Sequence, residues 1–262
     1  MIAINNKCSK GIAIVWGIIF CSLGLIKLQQ KQLSQDVVVQ DKDTYLKQEQ
    51  YLQTAVKLQQ KMPAFGFDNL FADWNYLQFI QYFGDTEARE VTGYSLVTDY
   101  FEVAVDKDPR FTQSFLSFSA ANSLFAAQPK KTVELIDQVL KSATPDLPGY
   151  PFLLWTYKAT DEILFLGDLN AAKNSYEQAA EWASMRNDDL GKEMAGRYLD
   201  TAKFLASNPN STDAQIGAWA NILSQAQDSK TQQHAIEQLK ELGAEVSITE
   251  KGEIKITRPE KA

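Results

Sequence analysis

The chain has 262 residues, 45% of them hydrophobic and 11% aromatic, enough to fill one well-buried domain with appendages and to exclude disorder for most of its length. Its formal net charge is −7, but the first 31 residues hold Lys7, Lys10, Lys27 and Lys31 and no acid, so the rest carries 22 basic and 33 acidic residues, a net of −11. A body that acidic argues against nucleic acid, whose phosphates need a basic surface.

From Gly11 to Ile26 the chain reads GIAIVWGIIFCSLGLI, 16 residues without a charge, flanked by Lys10 and Lys27. As a helix this is about 24 Å long, short for a hydrocarbon core of about 30 Å but workable when the flanking lysines snorkel. A cleaved signal peptide is the alternative, with Ser22-Leu23-Gly24 as a small-x-small site, but apolar Leu25 and Ile26 continue past it. A lipoprotein signal fails because Phe20 precedes Cys21, and a buried helix remains a third possibility. We expect an uncleaved transmembrane signal anchor over 11–28, behind a short tail of residues 1–10. Two lysines stand on each side, so the charge asymmetry is nearly balanced. The early start of the apolar run places the body on the extracytoplasmic side, periplasmic or lumenal. Cys8 and Cys21 are the only cysteines and both belong to this end, which leaves no disulfide framework or cysteine zinc site in the body.

Residues 29–65 are rich in Gln and charge, as in YLKQEQYLQTAVKLQQK, and predict a helical spacer that Pro63 and Gly66 terminate. From 66 to 207, aromatic and aliphatic residues recur at helical spacing. Short breakers separate them: Gly84-Asp85, Asp108-Pro109, Gln128-Pro129, Pro145 and Gly167-Asp168. Helix follows helix with no strand pattern between, which is the outline of a helical repeat array. Val97, Val133 and Ala172, 36 and 39 residues apart, read as equivalent positions in successive second helices. In the stretch LFLGDLNAAKNSYEQAAEWAS, small Ala172 and Ala179 bracket bulky Tyr176 beyond a Gly167 turn.

Gly167-Asp168 with Ala172, Tyr176 and Ala179, Phe101 with Ala104 and Pro109, and Val133 with Pro145 together resemble the tetratricopeptide repeat, a helix-turn-helix of about 34 residues. Asp137 departs from that pattern, standing where a bulky aromatic is expected. The resemblance implies an all-α solenoid of helical hairpins whose first helices line a concave groove. Trp74, Gln78, Phe118, Asn122, Tyr157 and Asp161 are the groove residues it implies, although aromatic residues at this spacing also serve as core. Members that clamp a carboxylate-terminated peptide use Lys and Arg on that face, and this chain has none at the matching places.

Residues 208–262 predict two helices, one after Ser211-Thr212 and one over SKTQQHAIEQLKEL, then a small β-hairpin from AEVSIT and EIKITR. With six basic and eight acidic residues from 211 onward, a winged DNA-binding module is a poor fit. His234, the only histidine, reads as a surface residue, and the glycines form no phosphate loop. No nucleophile has a base beside it in the sequence. The chain therefore reads as no enzyme, with no cofactor, metal or small-molecule substrate. We expect a membrane-anchored scaffold whose partner is a membrane-associated protein, aiding assembly, stabilisation or recruitment of a complex. The alternative is a permanent structural subunit of a membrane complex.

Overall fold

The computed structural model describes residues 16–17, 19–20, 22–27, 41–248 and 254–257. The chain divides into two compact units, 1–44 and 45–262. In the first, the described positions between 16 and 27 are helical. Trp16, Ile19, Phe20, Leu23, Leu25 and Ile26 are all exposed. Among the described residues no helix is long and apolar enough to cross a membrane; the expected span over 11–28 is described only in part, and the tail 1–10 lies outside the described residues.

The chain then runs as α1 (Lys42–Lys61), α2 (Asp68–Gly84), α3 (Thr86–Thr92), α4 (Val97–Lys107), α5 (Thr112–Ala120), a π-helical turn (Ala121–Phe125), α6 (Pro129–Leu140), α7 (Phe152–Leu164), α8 (Leu169–Ser184), α9 (Asp189–Ala206), α10 (Thr212–Gln225) and α11 (Ser229–Glu241). The local reasons are caps and turns, those at Asp85, Pro129 and Gly167-Asp168 falling at breakers read in the sequence. Asp85, Asp168, Asp188 and Asp228 each accept a backbone N–H three residues on, capping α3, α8, α9 and α11. Pro129 opens α6, where its missing N–H costs nothing. Gly167 turns the chain between α7 and α8 at φ 64, a conformation that favours a residue without Cβ.

Helices close in the chain pack side by side: α2 on α4, α5 and α6 on α7, α7 on α8, α8 on α9. Ala172 and Ala179 are fully buried, which lets α8 approach its neighbours closely, while Tyr176 reaches the Tyr198 ring at 5.9 Å. Asp137 is explained by a partner rather than by packing: the Lys158 ammonium of α7 lies 2.8 Å from its carboxylate.

Two sequence expectations need adjustment. The helix assigned to a spacer, α1, belongs to the body from Tyr45 onward, because Val56 and Leu52 pack into the main core. Apolar residues every third or fourth position were too few to suggest a coiled coil yet enough to dock one helix face. Residues 29–40 of that spacer lie outside the described residues. The three positions read as equivalent also stand at different distances from their helix starts: Val97 opens α4, while Val133 and Ala172 are the fifth residue of α6 and the fourth of α8.

The C-terminal pair folds back onto the earlier helices. Ile216, Trp219, Ile222 and Leu223 of α10 pack with Leu124 and Ala127 of the π-turn region and with Leu164 and Phe165 at the end of α7. The hairpin is present as β1 (Glu245–Ile248) and β2 (Ile254–Thr257), antiparallel with Val246 opposite Ile256. Both of these side chains rest on the α10–α11 core, as a hairpin marginal by itself requires.

Candidate functional site

The six residues implied as a groove do not share one open surface. Phe118 and Asn122 are fully buried and Asp161 is 7% exposed, so these three are corrected from groove lining to interior. Phe118 fills the aromatic core between Phe79 and Phe101. Asn122 and Asp161 join a buried polar chain. Gln78 is half-buried and accepts a hydrogen bond from Gln59 of α1 at 2.6 Å. Tyr157 is 36% exposed on α7, and Trp74 is 57% exposed on α2.

Trp74 stands on the most exposed apolar face of the described body. Helix α2 reads DNLFADWNYLQFIQYFG and is apolar on two sides. One side, Ala72, Phe79 and Tyr82, is buried in the core. The other side, Leu70, Trp74, Leu77 and Ile80, is open, and Phe65 and Phe67 continue it from the loop before the helix. These six are 46 to 85% exposed. With about 200 Å² for a fully exposed large apolar side chain, they present roughly 700 Å², above the largest patch of a typical monomer, about 300–600 Å². Phe65 adds a backbone observation. Its φ is 51, a left-handed conformation that costs a residue with Cβ about 1 kcal/mol, and its side chain is among the exposed ones.

The polar chain lies where α5 passes into the π-turn. The Thr98 hydroxyl donates to Asn122 Oδ1 at 2.6 Å, and Asn122 Nδ2 donates to Thr132 Oγ1 at 3.0 Å. Thr132 Oγ1 is 2.9 Å from Ser123 Oγ, which in turn touches the Asp161 carboxyl. Thr132 Oγ1 also bonds the Gln128 carbonyl at 3.1 Å. Each hydroxyl has one proton to give. A protonated Asp161 completes the sequence, donating to Ser123, which donates to Thr132, which donates to Gln128; an ionised Asp161 reverses the first step and breaks the order. Burial pushes the Asp161 carboxyl up to about 7, the Ser123 bond opposing and the neighbouring Glu162 charge adding to the rise.

The sign of the pH effect follows. An unfolded Asp titrates near about 3.9, so between about pH 4 and pH 7 the folded chain holds more protons than the unfolded one. This group's contribution therefore falls as pH rises through that window. Asp161→Asn removes the ionisation and keeps a donor for Ser123. It is expected to raise stability on the order of 2 kcal/mol at pH 8 and to leave it nearly unchanged at pH 4. Urea unfolding at both pH values measures this, and a variant less stable than the parent at pH 8 sinks the account.

A cleft of about 430 Å³ lies between Tyr94, Thr98, Gln128, Lys230, His234 and Glu237. His234 is half-buried rather than on the surface, edge-on to the Trp219 ring at 5.3 Å. Asp228 of the same cleft is engaged in capping α11. No hydroxyl is hydrogen-bonded to His234 among the described residues, and no cluster there has the composition of a metal site. These residues assemble no general base with a nucleophile.

The polar chain escaped the sequence reading because bonded partners within it are up to 38 residues apart. One sign was available: Asn122, Ser123 and Asp161 sit among apolar neighbours at helical spacing. Comparison with family models, curated proteins and solved structures gave no match to this chain.

Proposed function

We propose that this chain is a membrane-tethered, tetratricopeptide-like scaffold that holds a protein partner close to the bilayer and aids assembly, stabilisation or recruitment of a membrane complex. The observation that carries the reading is the open apolar face of α2. An apolar face of that size on a helix already buried on its other side is a surface made to be covered. Support for the tether is the charge-free run from Gly11 to Ile26 with a lysine at each end. Exposure of its described large apolar residues agrees with insertion into lipid. Tethering confines the α2 face to the membrane surface and raises its effective concentration toward membrane-associated partners. The body lies on the extracytoplasmic side in this reading.

The same face favours a second reading, a permanent structural subunit, because a patch above the usual monomer range is best covered at all times. One experiment addresses both. The intact chain is recovered from its native membranes in mild detergent beside Trp74→Ala/Leu77→Ala. The expected result is a protein partner that accompanies the parent and is lost from a variant of unchanged circular dichroism. Recovery at a fixed ratio after stringent washing selects the permanent subunit. A parent that brings down no protein, or a variant that keeps the same partner, ends both readings.

A further inference from the structure

The open face of α2 has a definite shape. Leu70, Trp74 and Leu77 follow one another at steps of four and three, the spacing that aligns side chains along one face of a helix. Phe67 begins the stripe one turn earlier, and the span from Phe67 to Leu77 gives it a length of about 15 Å. A straight apolar ridge of this kind matches the apolar stripe of a second helix laid along it.

Charge identifies that second helix. The charged residues of α2 are Asp68 and Asp73, both exposed, and the helix contains neither Lys nor Arg; Asp73 borders the stripe, three residues after Leu70 and four before Leu77, while Asp68 opens the helix on its other side. No ion pair engages either carboxylate among the described residues. With residues 32–262 at −11, a second copy of this chain would bring like charge against this edge, and an anionic lipid surface would be repelled in the same way. A ligand with Lys or Arg beside an apolar stripe is attracted at its edge and covered at its centre.

We propose that the α2 face binds a basic amphipathic α-helix of the partner protein, packed lengthwise against Leu70, Trp74 and Leu77 with its cations beside Asp73. This rests on the scaffold reading above and names the chemistry of its ligand.

The test uses the full chain in neutral phosphatidylcholine nanodiscs, where no detergent occupies the face. Three fluorescein-labelled 18-residue peptides are titrated by anisotropy, with binding to empty discs subtracted. One carries Leu at helical spacing and Lys elsewhere, the second has Glu in place of Lys, and the third scrambles the Leu and Lys order. The first is expected to bind at least tenfold more tightly than the other two. Leu70→Gln/Trp74→Gln/Leu77→Gln is expected to lose at least tenfold in affinity with an unchanged unfolding midpoint, and Asp73→Lys to prefer the Glu peptide. Equal binding of helical and scrambled peptides, an unaffected triple variant, or no reversal of charge preference overturns the proposal. Trp16 of the anchor is quenched by brominated lipid in either case, so quenching of the parent that exceeds that of Trp74→Phe assigns the face to the bilayer and also overturns it. Co-purification separates the two failures: a partner lost from the triple variant while no peptide binds leaves the scaffold standing and refutes the helical ligand, whereas a parent without any partner refutes both.

Discussion

Glu49→Ala is expected to lower the stability of the body by about 3–5 kcal/mol and to release α1 from it. Glu49 is where α1 is fastened. Its Oε2 accepts from both terminal nitrogens of Arg89 at 3.2 Å, and its Oε1 accepts from the hydroxyls of Tyr82 at 3.0 Å and Ser95 at 2.8 Å. Burial pushes the Tyr82 phenol well above its ordinary pKa, so its hydroxyl stays a donor. The Arg89 side chain is 3% exposed and lies 3.6 Å over the Tyr82 ring, with the Gly93 carbonyl as its other partner. Arg89 Nε already lacks a hydrogen bond. Without Glu49 the guanidinium is a buried charge with one carbonyl and one ring to hold it, and desolvation is no longer offset.

The asymmetry between the partners sharpens the test. Arg89→Leu removes the buried charge itself and leaves Glu49, at 13% exposure, with two hydroxyl donors, so it should cost less than Glu49→Ala. Glu49→Leu/Arg89→Leu should lie closer to the parent than the separate losses predict, since neither charge is then stranded. Urea unfolding gives the free energies, and hydrogen exchange over 42–61 shows whether α1 opens. A Glu49→Ala variant within about 1 kcal/mol of the parent, a change typical of surface positions, would refute the fastening role.

This pair also shows what the sequence could and could not disclose. Caps are local, so Asp168, Gly167 and Pro129 marked their turns three or four residues from the groups they serve. The hairpin announced itself by alternation over two short stretches. Glu49 and Arg89 are 40 residues apart, and nothing near Glu49 in a Gln-rich stretch distinguishes it from the solvated acids around it. The spacer reading of α1 follows from that blindness: polar composition reports what a helix shows to water, while one Val56 and one Glu49 decide whether it docks. For α2 the limit is different. Its apolar residues lie on two sides, so periodicity revealed a helix and left open which side faces the core. Trp74 and Phe118 therefore looked alike as aromatic residues on first helices, and packing alone separates them.

Their separation is the second large effect. Phe118→Ala is expected to cost about 3–5 kcal/mol. At about 2–4 °C per kcal/mol for a body of this size, the midpoint should fall by roughly 10 °C. The ring is fully buried, with centroids of Phe79 at 4.2 Å, Phe101 at 5.2 Å and nearly parallel, and Tyr76 at 5.6 Å. It thereby joins α2, α4 and α5 in one aromatic cluster, and aromatic packing of this density leaves an empty cavity when the ring is removed. Trp74→Ala deletes a larger side chain, yet it should change stability by no more than about 0.5 kcal/mol, because its ring contributes to the open face. The proposed binding should respond to Trp74→Ala even so. Thermal unfolding of the two variants side by side decides the matter: equal losses would mean that α2 is rotated relative to the core, burying Trp74 and withdrawing the face on which the scaffold reading stands.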